Sequence, residues 1–223
     1  MNIIKKIKSK LIVSCQPVIK GPLDNNRIIL ALAQAAVNGG ASALRINDAK
    51  NVYNIKRKLK IPIIGIKKRK LKNSNIIITP FLKDVELLAN SGADIIAFDA
   101  TLRKRPVTII KLIETIHKND CLAMADCSNL DEAINATNLG VDIVATTLSG
   151  YTKNKIIPKL PDLGMITKYR RKVNNKPIIA EGRYNPPKLA AEAIKRGAHA
   201  VVVGTAINRV EEITSWFVKA INR

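Results

Sequence analysis

Eight short apolar runs divide the sequence, at residues 11–15, 43–46, 63–66, 94–98, 122–125, 142–145, 178–180 and 200–203. Continuous apolar runs this short suit strands covered on both faces, as in a parallel sheet. Between them apolar residues recur at helical spacing, over residues 28–37, 52–59, 85–88, 109–116, 133–139, 189–194 and 213–221. Several of these segments end in a Gly-Ala or Gly-Val step just before the next run: Gly40-Ala41, Gly92-Ala93, Gly140-Val141 and Gly197-Ala198. A glycine there can adopt the left-handed conformation that stops a helix and returns the chain to the sheet. Unbroken alternation of strand and helix implies either a barrel or a doubly wound sheet. Eight repeats within 223 residues, with no G-x-G-x-x-G after the first run, favour the closed (β/α)8 TIM barrel. A ninth run, residues 76–79, follows the third with no helix between them and is bounded by Pro80. It reads as an extended piece of the long third βα loop. With no linker or low-complexity segment, residues 1–223 form one domain.

Charge raises a competing possibility. The chain carries 38 Lys and Arg against 17 Asp and Glu, a net charge of +21, and chains this basic often bind nucleic acid or anionic membranes. Yet the cations are spread along the whole chain, and the few aromatic residues are scattered, so no stacking platform for bases is visible. A coding bias toward Lys, Ile and Asn, together with an anionic substrate, accounts for the charge without a specific nucleic-acid partner. Three cysteines, Cys15, Cys121 and Cys127, lack metal-ligand spacing and suit a reducing cytoplasm. The basic residues before Leu11 resemble the start of an export signal, but Leu11 to Val13 is far short of the ~7–15 apolar residues needed. No apolar stretch approaches the ~20 residues of a membrane span.

In such barrels the chemistry lies at the C-terminal ends of the strands. The polar residues just past the runs are Gln16, Arg45, Lys68, Asp99, Asp126, Thr146 with Thr147, Glu181 with Gly182 and Arg183, and Gly204 with Thr205. Any one of them alone is more simply a cap or a loop hydrogen-bonder. Together they place Lys, Arg, Asp and Glu around one mouth. Side chains alternate faces along a strand, so Ile64, Ile66 and Lys68 share a face that Lys67 does not. By the same parity Met124 goes with Asp126, and Ile179 with Glu181. Gly182 after the seventh run and Gly204-Thr205 after the eighth offer unobstructed N–H groups where many such barrels hold phosphate. Arg209 lies close enough in sequence to add a charge-assisted contact.

These residues carry a resemblance. Ser14-Cys15-Gln16, Gly39-Gly40-Ala41 with Arg45, Pro62-Ile63-Ile64-Gly65, Thr79-Pro80, Asp99-Ala100-Thr101 and Ala125-Asp126-Cys127-Ser128 all contribute to it. So do the run from Thr146 to Thr152, Ala180-Glu181-Gly182-Arg183, and the run from Gly197 to Gly204. Together they are similar to the N-acetylmannosamine-6-phosphate 2-epimerases, over about Leu11 to Phe217. The resemblance implies a (β/α)8 barrel, often a homodimer, that needs no cofactor, and the sequence has no His, Cys and carboxylate set with ligand spacing, so no metal is expected. The resemblance also implies interconversion of N-acetylmannosamine-6-phosphate and N-acetylglucosamine-6-phosphate, in amino-sugar and sialic acid breakdown. The family's catalytic lysine falls on Lys68, its glutamate on Glu181 and its aspartate on Asp126. Its strand-end arginine falls on Arg45 and its glutamine on Gln16, as substrate-binding residues. Gly182, Arg183, Gly204, Thr205 and Arg209 are then the candidate phosphate-binding residues. The chain departs from the family at Thr205, where a smaller residue is usual, at Val210, where Pro is usual, and in the basic loop 153–159.

Inverting C2 beside an aldehyde needs a base for a weakly acidic C–H and a proton returned on the other face. A lysine serves only when neutral, which burial and a neighbouring cation such as Arg45 both favour. Arg45 and Gln16 are candidate donors to the developing enolate oxygen. Glu181 and Asp126 could bind hydroxyls, assist ring opening or return the proton. A metal-dependent pentulose epimerase would need strand-end His ligands. His117 falls in a predicted helix and His199 just before the eighth run, so both read as structural. Other phosphosugar barrels, and a nucleic-acid-binding barrel, are the remaining alternatives.

Overall fold

The computed structural model describes residues 3–152, 156–173 and 176–222. Among them, eight parallel strands close into a barrel in sequence order, the eighth pairing back onto the first. The strands are β1 (Lys10–Cys15), β2 (Ala43–Asn47), β3 (Ile63–Ile66) and β4 (Ile95–Asp99), then β5 (Leu122–Asp126), β6 (Ile143–Ala145), β7 (Ile178–Glu181) and β8 (Ala200–Val203). A short helix, α1 (Ile3–Ile7), precedes β1. The crossovers are α2 (Asn26–Asn38), α3 (Ala49–Lys56), α4 (Leu82–Asn90), α5 (Ile109–Lys118), α6 (Leu130–Asn138), α7 (Leu163–Lys172) and α8 (Pro187–Lys195). After β8 come α9 (Thr205–Asn208) and α10 (Val210–Ile221).

Strand parity sorts the core into two layers. Ile12, Ala43, Ile64, Ile66, Ile95, Ala97, Met124, Ile143, Ala145, Ile179, Ala200 and Val202 pack together inside the barrel. The alternate residues, among them Val13, Leu44, Ile46, Ile63, Ile96, Phe98 and Val144, pack outward against the helices. Burying one such aliphatic side chain is worth about 1.5–3 kcal/mol, so both layers resist a shift of register, which would exchange them. Ile7 of α1 joins the inner layer, and His199 Nε2 lies 2.8 Å from the Ile4 carbonyl, so α1 is seated at the N-terminal end of the strands.

The expected strand positions hold to within a residue or two. The shifts at Asp94 and Asp142 have a common cause. Each precedes its strand, and its carboxylate accepts a backbone N–H from a neighbouring strand, Ile63 N at 2.8 Å and Ala123 N at 2.7 Å. The helix-ending glycines Gly40, Gly92, Gly140 and Gly197 all have φ between 90° and 98°. The run at 76–79 is indeed extended. Ile78 bridges Lys68 antiparallel and sits in the inner layer, and its carbonyl accepts Asp99 N at 3.0 Å. The strap therefore fills the gap above β3 and β4, which share only two paired positions.

Three helices have no counterpart among the periodic segments: α1, α7 and the single turn α9. In α7 the buried residues are Ile166 and Tyr169, and they are diluted by Gly164 and the Arg170-Arg171-Lys172 end. In α1 three isoleucines lie inside a basic run of only five residues. Of the basic loop 153–159, residues 153–155 lie outside the described residues.

Candidate active site

Inward parity carries a specific residue to the rim on nearly every strand. Ser14, Arg45, Lys68, Thr147, Glu181 and Gly204 all line one cleft of about 420 Å³ at the C-terminal end of the barrel. Gln16, Tyr151, Gly182, Arg183, Thr205 and Arg209 complete its wall. Asp126 lies directly behind, fully buried.

Arg45 is the hub. It is only 1% exposed, and its fork grips Asp126 at 3.2 Å (Nη1 to Oδ1) and 2.6 Å (Nη2 to Oδ2). Nη1 also lies 3.0 Å from Glu181 Oε2. Burial opposes the guanidinium's charge, but the two carboxylates outweigh it and raise its pKa, so Arg45 is a permanent cation. Both terminal nitrogens are committed to carboxylates. Nε is buried without a partner, so its N–H remains to meet a substrate oxygen.

Lys68 reaches the same cleft from just beyond β3. Its backbone N–H donates to Asn47 Oδ1 at 2.9 Å, which fixes the chain where it leaves the strand. Burial lowers its pKa to about 8, and the cations Arg45 and Arg209 push in the same direction against Glu181 and Asp126. Glu181 moves the opposite way. Burial raises it to about 7, opposed by Arg45 and Lys68 and reinforced by Asp126. An amine and a carboxyl with values this close can exchange a proton at little cost, as general acid–base chemistry requires. Lys67 points away and pairs with Asp48 at the start of α3.

Gly182 has φ 105°, a conformation that costs a side-chain-bearing residue dearly, and it turns the chain over the cleft after β7. Gly204 caps α9, whose first N–H groups open onto the cleft. Asn208 Nδ2 donates to the Ser14 carbonyl at 2.9 Å, and Arg209 Nε to the Gln16 carbonyl at 3.3 Å, so α9 is tied to the end of β1. Gln16 itself donates from Nε2 to Ser14 Oγ at 2.8 Å, leaving Oε1 buried without a partner. Arg183 has φ 64° and turns its guanidinium aside, onto the carbonyls of Ser149 at 2.6 Å and Leu160 at 2.9 Å, with Tyr151 beneath it. Arg183 still lines the cleft, with part of its guanidinium given to these two carbonyls.

The structure thus brings Gln16, Arg45, Lys68, Asp126, Glu181, Gly182, Arg183, Gly204, Thr205 and Arg209 together. In the sequence Thr147 stands only as a strand-end hydroxyl beside Thr146. Extending the Ile143–Ala145 parity by two residues would have singled it out, since it lies 2.6 Å from Asp126 Oδ1 and 3.2 Å from Glu181 Oε2. Tyr184 and the strap's Ile77 are further wall residues that sequence reasoning missed. Asp99, although of inward parity, is held by Thr101 and by Arg103 at 2.7 Å and lies outside the cleft. Neither histidine is near it: His117 contacts Asp142 and His199 contacts Ile4, both toward the other end of the barrel. Among the described residues, no group of three or more His, Cys, Asp or Glu is placed to hold a metal ion.

Residues 29–223 match the sequence profile of the family described as "Putative N-acetylmannosamine-6-phosphate epimerase". A Salmonella typhimurium protein named "Putative N-acetylmannosamine-6-phosphate 2-epimerase 1" is 51% identical over 213 residues, 96% of this chain and 93% of that protein. A Yersinia pseudotuberculosis protein named "Putative N-acetylmannosamine-6-phosphate 2-epimerase" is 47% identical over 222 residues, covering 100% and 94%. The solved N-acetylmannosamine-6-phosphate 2-epimerase from Clostridium perfringens superposes with a TM-score of 0.95 at 40% identity, over 99% of this chain and 96% of that one. A thiamine phosphate pyrophosphorylase from Pyrococcus furiosus, at 18% identity and a TM-score of 0.64 over 93% and 90%, shares the fold alone. The fold, the cleft and these matches lead to one assignment: this chain belongs to the N-acetylmannosamine-6-phosphate epimerase family.

Proposed function

We propose that this protein interconverts N-acetylmannosamine-6-phosphate and N-acetylglucosamine-6-phosphate by removing and returning the proton at C2 of the open-chain sugar. The observation that carries this reading is Lys68, drawn down to about 8 by burial and by Arg45 and Arg209, facing Glu181 across one cleft. Lys68 in its neutral form takes the C2 proton. Glu181, raised to about 7, is the group that can deliver a proton while most of the remaining carboxylate charge is held by Arg45. The Arg45 Nε–H and the second Nε2 hydrogen of Gln16, whose first goes to Ser14 Oγ, are the donors available to the oxygen on which charge develops. The phosphate is taken by the N–H groups after Gly182 and Gly204, with Thr205 and Arg209 beside them. Residues 1–223 act in this reading as one catalytic domain, cytoplasmic, with no metal, no cofactor and no specific nucleic-acid partner. Among the described residues no helix is long and apolar enough to cross a membrane.

The decisive assay follows inversion of N-acetylmannosamine-6-phosphate by proton NMR in deuterated solvent. Product should appear with deuterium at C2, and turnover should be unchanged after exhaustive EDTA treatment. Loss of activity on EDTA treatment, restored by one divalent metal, would return the pentulose-epimerase alternative. Substrate affinity should depend on the phosphate loops rather than on the general positive charge. A side chain at Gly204 would meet Ser14 Cβ at 3.2 Å, and aspartate would also set a carboxylate against the anion. Gly204→Asp is therefore expected to raise KM by about tenfold or more, the loss of one or two charge-assisted hydrogen bonds. Equal turnover of non-phosphorylated N-acetylmannosamine by the unaltered protein would contradict this.

The active unit in this reading is a homodimer. None of the residues of α10 is buried, although Phe217, Val218 and Ile221 are apolar and at least half exposed. An apolar helix face of this kind is covered in most proteins, and a second copy of the chain is the simplest cover. Light scattering should give twice the monomer mass, and Phe217→Asp should shift it toward the monomer.

A further inference from the structure

Thr147 has one hydroxyl hydrogen and two carboxylates to satisfy. Its Oγ1 is 2.6 Å from Asp126 Oδ1 and 3.2 Å from Glu181 Oε2. Asp126 is fully buried and already holds the Arg45 fork, so it is the stronger acceptor and takes the hydrogen. Oγ1 then turns lone pairs toward Glu181. Against an ionised Glu181 that contact is a repulsion between oxygens, whereas against a protonated Glu181 it is a good hydrogen bond. Had Thr147 given its hydrogen to Glu181, it would favour the ionised form, but the shorter contact to Asp126 sets the opposite direction.

We propose that Thr147 is a positioning residue that accepts a hydrogen bond from protonated Glu181 while donating to Asp126, so that Glu181 holds its proton on Oε2. This inference rests on the epimerase reading given above and names a component of that same site. The charged groups facing Glu181 are Arg45 from β2, Lys68 from just past β3 and Asp126 from β5, with Arg209 further along the rim. From β6, Thr146 completes the clamp. Its hydroxyl donates to the Glu181 carbonyl at 2.9 Å and accepts the Glu181 N–H at 3.1 Å, so backbone and carboxyl are held by successive threonines. The hydroxyl chain lets Glu181 be neutral without leaving an unpaired buried O–H, the condition for returning a proton to carbon rather than merely binding a hydroxyl. No net transfer into Asp126 is needed, because both of its oxygens are already held by the Arg45 fork.

The test compares Thr147→Val, which keeps the shape and removes the hydroxyl, with Thr147→Ser, which keeps the hydroxyl. In substrate-free protein with 13C-labelled glutamate carboxyls, the Glu181 resonance is assigned by its disappearance in Glu181→Gln. Its acid dissociation constant should rise about two- to tenfold in Thr147→Val, the worth of one hydrogen bond to the neutral form, and return in Thr147→Ser. The acid limb of the kcat profile should move to lower pH with it, kcat should fall about tenfold or more, and KM should stay within about twofold. A Glu181 dissociation constant that is unchanged or lower in Thr147→Val, or a Ser variant that behaves like Val, overturns the proposal. The titration needs no turnover, so it decides Thr147 even where the assay with N-acetylmannosamine-6-phosphate rejects the epimerase reading.

Discussion

Lys68→Met is expected to abolish both epimerisation and exchange of the C2 proton with deuterated solvent, and to leave the protein more stable. Loss of a general base alone costs ~10²–10⁴-fold in rate, and a carbon acid with no substitute base should lose more. The stability gain follows from the same displacement. The Lys68 ammonium is held at about 8 against an ordinary 10.5, chiefly by burial. The unfolded chain therefore keeps that proton more tightly than the folded one. The cost is complete below the folded value and fades only as pH rises toward the unfolded value. At about 1.4 kcal/mol per unit, an upper figure near 3 kcal/mol at pH 7 is shared with the surrounding carboxylates, so a gain of about 1–2 kcal/mol is the reasonable expectation. Methionine keeps the length and apolar stem and carries no charge. Lys67→Met should forfeit only its partly exposed pair with Asp48, worth about 0–1 kcal/mol, and most activity should survive. Denaturation midpoints and solvent exchange in the two variants check this together. A dead Lys67 variant beside an exchanging Lys68 variant would reverse the assignment, and exchange in both would move the base to Glu181.

The sequence made the barrel legible because its signals are redundant. Apolar runs repeat eight times, and each glycine stop says again where a helix ends. The site was legible through a single rule, strand parity, which separates Lys68 from Lys67 and pairs Ile179 with Glu181 without any contact being known. Parity stops being informative where the partner of a residue lies on another strand. Nothing in the sequence tells Arg45 that Asp126 and Glu181 converge on it, since they lie 81 positions and more away along the chain. Arg45 and Gln16 were expected as donors to the reacting oxygen. The structure ties both terminal nitrogens of Arg45 to carboxylates while leaving its Nε–H unpartnered, and gives one Gln16 amide hydrogen to Ser14 Oγ, so each keeps an N–H for that oxygen. Arg183 shows the same limit. Its place after β7 suggests a phosphate contact and it does line the cleft, but nothing in the sequence shows that its Nε and Nη1 donate to two carbonyls of the β6–α7 connection. Short helices such as α1, and a helix with few apolar positions such as α7, escape periodicity because their stability comes from packing partners rather than from pattern.

Removing the hub should be the most disruptive single change to stability. Arg45→Met leaves Asp126 and Glu181 side by side in a buried site without their shared cation. Breaking a buried ion pair from one side costs about 3–5 kcal/mol, because the remaining charge has no water to return to. The loss should depend on pH in a stated direction. Glu181 already sits at about 7 in the intact protein, above its ordinary 4.5. The folded state therefore binds this proton more tightly than the unfolded one. That contribution is fully present below pH 4.5 and is lost as pH rises through 7. Without Arg45 the buried carboxylate pair takes up its proton more readily still, so the penalty should be small at acid pH and approach its full size at pH 8. Catalysis should fail as well, since Lys68 would face two carboxylates with one fewer opposing cation, and its pKa would climb back toward that of an ordinary lysine. Arg45→Lys should rescue little, because a single ammonium cannot reproduce the fork that spans Asp126 Oδ1, Asp126 Oδ2 and Glu181 Oε2. Urea denaturation of the intact protein and the Met variant at pH 5 and pH 8 measures the difference. A destabilisation equal at both values would mean that Arg45 matters for the volume it fills and not for the charge it carries.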